Sequence, residues 1–352
     1  MKDLPLIGCN LTTVRYEDPM SSQRTHITRP GNATLRHRCT GCGGCCQGVR
    51  IPVYNDQERS KVERAATHLG IPDPIQEDAL RMTKGRCVFL ADDNRCRIHS
   101  SLGPGAKPIP CLQFPLIAIK ASSGVDQGSE FRIGVDPASY GAWQSWRDGP
   151  PLPDGPIVAA SPPAPGGQDR VEAQLVAMCE DPQASIPGLL AVLTREPAPR
   201  GTLPPGFAKR WASHLSSIDF DPFLTNEGVG PNLRAALQPL TTTASSWASG
   251  PPPWPAQLSS NDEAWAVEAI RRTLFLRLLP QIPNVSAAAL LLLGGVVAAA
   301  WTDPRPEPFN RAITGWQRAL RFSLFWQTLA NDRATMVWLG TGQRPDPAGA
   351  VS

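Results

Sequence analysis

Seven of the nine cysteines, Cys39, Cys42, Cys45, Cys46, Cys87, Cys96 and Cys111, are gathered in one short stretch of the chain. Four of them stand in Cys39-Thr40-Gly41-Cys42-Gly43-Gly44-Cys45-Cys46, where three glycines let the backbone turn tightly around a shared centre. A Cys-x-x-Cys spacing brings two sulfurs to one metal ion, while the adjacent Cys45 and Cys46 point their side chains apart, one able to join that ion and the other a second. Such a cluster means disulfides in an oxidising compartment and metal ligation in a reducing one. Residues 1–10 have no apolar run of signal-peptide length, and Leu6-Ile7-Gly8-Cys9 resembles a lipoprotein processing site only superficially, so the reading is a cytoplasmic chain with reduced thiols.

Counting donors narrows the chemistry. One tetrahedral zinc takes four ligands, so seven thiols exceed a single structural site; an iron-sulfur cluster uses four cysteines and leaves sulfurs over. Adding His99, three positions after Cys96, makes eight donors, enough for two four-coordinate metals, and His37 is a substitute; a hydrogen-bonded structural role for His99 is equally open. A bacterial ferredoxin run is excluded, because its fourth cysteine would fall where Val49 stands. A zinc finger is disfavoured, since no two histidines have the required spacing. Arg36, Arg38, Arg50, Arg86, Arg95 and Arg97 offset thiolate charge and favour the ligating form, or else form a solvated face. Cys9 and Cys179, which stand alone, read as ordinary thiols.

The elements that must hold these donors are short. Asn55-Asp56-Gln57-Glu58 is a cap-x-x-Glu box that opens a helix over 56–69, with Gly70 as its stop. Segments 87–90, 115–120 and 131–135 are β-permissive, and a polar loop at 122–127 between the last two predicts a small antiparallel hairpin. Residues 148–167 are dominated by Pro, Gly and Ala and read as a linker. Beyond it strand patterning gives way to helices at 168–178, 187–194, 207–216 and 231–237, then an irregular spacer at 241–257. A capping box at Ser260-Asn261-Asp262-Glu263 opens a helix to about Leu279, with Trp265, Ile270, Leu274 and Leu278 on one side and Glu268, Arg271 and Arg272 off it. Helices at 285–301 and 309–330 follow.

The chain thus reads as α+β: an irregular arm (1–36), a metal-stapled cysteine domain with a hairpin (37–147), the linker (148–167), an all-helical domain (168–340) and a tail (341–352). Its 352 residues suffice for two domains. A net charge of +3 gives no reason to expect nucleic acid, and 28 arginines against six lysines suggest coding bias. Uncharged residues 285–301 fall just short of the ~20 that a bilayer crossing needs and read as a buried core helix, so no membrane is expected. Ten tryptophans, among them Trp301, Trp316, Trp326 and Trp338, read as anchors of the helical core. Ser213 beside His214, and Asp219 with Asp221, read as a solvated helix end.

These motifs resemble the bacterial CxxCxxCC family, described as zinc- or iron-chelating. Its Cys-x2-Cys-x2-Cys-Cys is matched by Cys39 to Cys46, its Cys-x-Phe-Leu by Cys87-Val88-Phe89-Leu90, and its Cys-x-Ile-Tyr by Cys96-Arg97-Ile98-His99. Its Arg-Pro-x-x-Cys-x-x-Phe-Pro is matched by Lys107-Pro108-Ile109-Pro110-Cys111-Leu112-Gln113-Phe114-Pro115. His99 stands in place of Tyr and Lys107 in place of Arg, and the stretch at 100–106 is longer. The family includes flagellin lysine-N-methylase-like proteins. The resemblance therefore implies an iron-sulfur cluster, or zinc, and methyl transfer from S-adenosylmethionine to a lysine of a protein substrate. The residues themselves contain neither a Gly-rich methyl-donor turn nor a Cys-x3-Cys-x2-Cys triplet, and name no catalytic residue. Two other readings stand beside this one: a zinc-stapled interaction module without chemistry, and a thiol redox sensor.

Overall fold

The computed structural model describes residues 26–28, 35–37, 41, 43–48, 50–122, 129–149, 151, 159–160, 169–256, 258–279, 282, 284–329 and 333–341. Cys9, Cys39, Cys42, Arg38 and most of the arm, linker and tail lie outside them. The chain divides into two units: residues 1–164 with 226–233, and residues 165–225 with 234–352.

The first unit opens with β1 (His26–Thr28) and a 3-10 turn at Gly44–Cys46. Helix α1 (Asp56–Leu69) has the bounds its capping box predicts: Asn55 accepts from the Glu58 amide, and Gly70, at φ 64°, ends it. Two tight hairpins follow, β2 (Ile75–Gln76) with β3 (Ala79–Leu80) and β4 (Met82–Thr83) with β5 (Arg86–Cys87). Both turns need left-handed backbone, supplied by Glu77-Asp78 in the first and Lys84-Gly85 in the second. Next come two short helices without a sequence signal, α2 (Arg97–Leu102) and α3 (Ile109–Gln113).

The hairpin expected from the β-permissive segments around a polar loop is present as β6 (Leu116–Ser122) and β7 (Ser129–Val135), paired antiparallel from Leu116 opposite Val135 to Ser122 opposite Ser129. It is the centre of a larger sheet. After the short α4 (Tyr140–Ser145), β8 (Ala159–Ala160) runs parallel to β6, and β1 runs parallel to β7, giving the order β1-β7-β6-β8. His26–Thr28 and Ala159–Ala160 come from stretches that read as arm and linker. A strand this short carries no periodicity of its own, and the ladder of its neighbour fixes it.

Apart from the first three residues of α9, which fall in the first unit, the second unit is helical: α5 (Asp169–Glu180), α6 (Ile186–Thr194), α7 (Pro205–Ser216), α8 (Asp221–Leu224), α9 (Pro231–Ala244), α10 (Ser260–Phe275), α11 (Val285–Thr302), α12 (Pro306–Ala319), α13 (Ser323–Leu329) and α14 (Arg333–Thr341). The fold class is α+β. Three boundaries differ from expectation. Residues 241–249, read as spacer, complete α9 and a 3-10 turn (Ser245–Ser249) that buries Trp247. Helix α10 is capped by Ser259 rather than Ser260 and stops at Phe275, where Arg277 takes φ 48°. The stretch 309–330 breaks after Ala319 into α12 and α13.

Among the described residues one helix, α11, is long and apolar enough to cross a membrane by length and composition, and 78% of it is buried. It is the axis of the helical core, packed against α5, α6, α10 and α12. Gly294 and Gly295 let two indoles lie on its backbone: Trp211 Nε1 donates to the Gly294 carbonyl at 2.8 Å, and Trp316 Nε1 donates to the Leu291 carbonyl at 2.9 Å.

Arg271 and Arg272 were expected off the apolar face of α10, yet both are buried. Glu268 meets Arg271 at 2.7 Å and Arg272 at 2.5 Å, Arg271 reaches Glu180 at 3.0 Å, and Arg277 meets Glu172 at 2.8 Å. Each guanidinium enters the interior with a carboxylate, the condition on which buried charge is tolerated.

Candidate metal centre

Four thiol-bearing segments of the first unit converge on one apolar core of Ile51, Val53, Val62, Leu80, Phe89 and Ile98 with their neighbours. Cys87 belongs to that core, and Cys46, Cys96 and Cys111 pack against it half-buried.

Cys46 ends the 3-10 turn, and its amide donates to the Gly43 carbonyl at 2.9 Å. Gly43 has φ 68°, and a Cβ there would lie 2.9 Å from the Asn94 Cβ, so both backbone and space demand glycine. Cys45 is part of this turn, and its side chain lies outside the described set. The next residues stitch the turn to the β4–β5 hairpin: Gln47 bridges Arg86, and the Gly48 amide donates to the Gly85 carbonyl at 2.8 Å.

Cys87 ends β5 opposite Met82 and is 4% exposed. The chain then reverses around Asn94, with Leu90 bridging Cys96 and the Arg97 amide donating to the Phe89 carbonyl at 2.8 Å. Cys96 occupies the N-cap of α2. Cys111 lies in α3, whose first amide, Ile109 N, donates to Glu58 Oε2 at 2.7 Å. Glu58 was read as the return half of the α1 capping box; its carboxylate instead caps the helix carrying Cys111.

Two of the sequence-predicted arginines, Arg86 and Arg97, directly neighbour Cys87 and Cys96 in the chain. Arg86 donates to the Ala91 carbonyl at 2.9 Å and Arg97 to the Leu69 carbonyl at 2.7 Å, so neither cation is neutralised by a carboxylate in those bonds. Arg95 is exposed and pairs with Asp93 at 3.8 Å, and Arg50 is exposed and bonds the Glu77 carbonyl.

His99 is exposed on α2, beside the inward Ile98. His37 is half-buried; burial pushes its imidazole down to about 4, against the pull of Asp136, so it is neutral at pH 7. In the helical unit, the lone Cys179 is pushed up to about 12, chiefly by burial, with Glu268 and Glu180 adding to it and Arg271 opposing. His214 bonds the Leu329 carbonyl through Nε2 at 2.6 Å, and Asp219 caps the Asp221 amide at 3.0 Å; both are structural contacts.

The donor chemistry suits a thiophilic ion: soft sulfur on an apolar core, with cations nearby. Among the described residues no three Cys, His, Asp or Glu side chains are grouped closely enough to hold one ion. Sequence reasoning missed Gln47, Asn94 and Glu58 as supports, since their role comes from partners distant in the chain. No curated protein and no solved structure matches the chain. The segment whose four described cysteines pack on this core, residues 38–129, matches the model of the CxxCxxCC family, described as a zinc- or iron-chelating domain.

Proposed function

We propose that the first unit is a thiolate-ligated metal centre, with an iron-sulfur cluster as the bound group and Cys39, Cys42, Cys45, Cys46, Cys87, Cys96 and Cys111 as the pool from which its ligands come. The observation that carries this reading is the convergence of four cysteine segments on one core, joined to a donor count beyond what one zinc takes. A bound cluster would supply redox or Lewis-acid chemistry. The chain's own part is to pack the cysteine segments on one core and shield them with apolar side chains.

A zinc-stapled module without chemistry is the second reading. It is favoured by the brevity of β2 to β5, α2 and α3, elements too short to hold together through their own hydrogen bonds. Methyl transfer from S-adenosylmethionine to a protein lysine rests on the resemblance alone. A cytoplasmic location would keep the thiols reduced for any of these roles.

The deciding experiment is anaerobic purification followed by a visible spectrum and iron, zinc and acid-labile sulfide analysis. Iron and sulfide in matching amounts support the cluster; a colourless protein with one or two zincs selects the structural module; neither metal refutes both. Replacing Cys87 or Cys96 with Ser is expected to lower metal content, and transfer from a labelled methyl donor to candidate proteins, with the centre fully loaded, tests the enzymatic extension.

A further inference from the structure

Gln47 directly follows Cys46 and is 3% exposed, an unusual burial for an amide. Its Oε1 accepts from the Asn232 amide at 3.0 Å, and its Nε2 donates to Asn94 Oδ1 at 3.4 Å, a long bond. Asn94 forms the turn two residues before Cys96 and also crowds Gly43, and Gln47 itself bridges Arg86, the residue before Cys87. The side chain of Gln47 thus ties the turn before Cys96 to Asn232, while its backbone pairs with the residue before Cys87.

Its partner Asn232 belongs to residues 226–233, which lie in the first unit although they are remote in sequence from the matched 38–129. This segment shapes itself locally: Asn226 Oδ1 accepts from the Gly228 amide at 2.8 Å, and the Val229 amide donates to the Asn226 carbonyl at 3.0 Å. Val229 and Leu233 are buried. The approach is backbone to backbone. A Cβ on Gly230 would meet the Gln47 Cβ at 2.8 Å, and one on Gly85 would meet Gly230 N at 3.0 Å. The Asn232 N–H is an orphan donor of the first turn of α9, so leaving it or the Gln47 amide unmatched carries a desolvation cost.

We infer that Gln47 is a positioning residue of the metal centre and that residues 226–233 are a strap completing it, outside the segment that carries the cysteines. This rests on the proposed thiolate-bound metal. An amide held from two sides anchors the backbone that directly follows Cys46, and through that backbone it supports the thiol at one remove.

The test compares wild type, Gln47→Leu, Gln47→Glu and Gly230→Ala, each purified anaerobically with whichever metal it holds, for the rate of metal loss to excess EDTA and for the visible spectrum or, in a zinc protein, that of its Co2+ form. Gln47→Leu and Gly230→Ala are expected to lose metal about 10- to 100-fold faster with a shifted spectrum. Gln47→Glu keeps the acceptor for Asn232 and is expected to return toward wild type. Should Gln47→Leu not fold, Gly230→Ala carries the comparison. Wild-type release and spectrum in both disruptive variants, even with lowered thermal stability, would overturn the positioning role and leave the metal centre standing; a wild-type protein without metal would instead remove the centre and this inference with it.

Discussion

The carboxylate of Glu58 accepts the amide of Ile109 at 2.7 Å, so α1 holds the helix that carries Cys111 by its N-terminus. The side chain is buried and its second oxygen sits 3.9 Å from Lys61 Nζ. A carboxylate at a helix start satisfies an orphan donor and meets the positive end of the peptide dipoles. Glu58→Ala is expected to cost about 1–3 kcal/mol in urea unfolding and to speed alkylation of Cys111 in metal-free protein. Glu58→Gln, which keeps an acceptor, is expected to lose less. Unchanged Cys111 labelling in Glu58→Ala would show that the Cys111 helix is held by other contacts.

Glu58 also shows what the sequence discloses. Asn55, Glu58 and Gly70 were sufficient to bound α1, because caps act within a turn, yet nothing local says that Glu58 turns away from Asn55 toward residue 109. The cysteine spacings are legible for the same local reason, and β6 and β7 followed from two short β-permissive segments around a polar loop. By contrast, the strands at 26–28 and 159–160, the short α2 and α3, and the strap at 226–233 are set by partners far along the chain. The burial of Arg271 and Arg272 was equally hidden. Periodicity sorts side chains by polarity, whereas these two follow Glu268 into the interior.

Gly294→Ala offers a contest between helix propensity and packing. In an exposed helix the change would stabilise by about 0.8–1 kcal/mol. In α11 the new Cβ would fall 2.5 Å from Trp211 Cζ2, and the equivalent atom on Gly295 would strike the Trp316 ring. Both indoles are buried and tied to α11 carbonyls, so neither can withdraw without losing a hydrogen bond. Overpacking of about 1–3 kcal/mol plus that bond outweighs the propensity gain. Each variant is expected to have a lower urea midpoint than wild type. A higher midpoint would mean that the indoles repack freely.

Cys179 is expected to be chemically quiet. Its thiol is pushed up to about 12, mainly by burial, with Glu268 and Glu180 disfavouring the thiolate further and Arg271 only partly opposing them. Because the thiolate is the nucleophile, iodoacetamide at pH 8 should label Cys179 in the folded protein at least about tenfold more slowly than in urea, measured by mass spectrometry of its peptide. Equal rates in the two states would show that the site opens faster than it reacts.

The Glu268 cluster makes the helical unit acid-sensitive in a defined direction. Burial alone would raise this carboxyl, but Arg272 and Arg271 outweigh it and hold Glu268 below its ordinary value of 4.5. A carboxylate with a depressed folded value contributes stability that is fully present above its unfolded value and is lost as pH falls below about 4.3 and through the folded one. Eight of the ten tryptophans lie in residues 165–225 and 234–352, so tryptophan fluorescence follows this unit even where acid strips a metal from the other. Wild type is expected to lose urea resistance from pH 5 to pH 3. Glu268→Gln, which leaves two buried guanidinium groups without that carboxylate, is expected to be weaker by about 3–5 kcal/mol at pH 7. It should also decline less steeply with acid, because the group whose protonation drives the loss is gone. A parallel decline in both proteins would assign the acid sensitivity of the helical unit to other carboxylates.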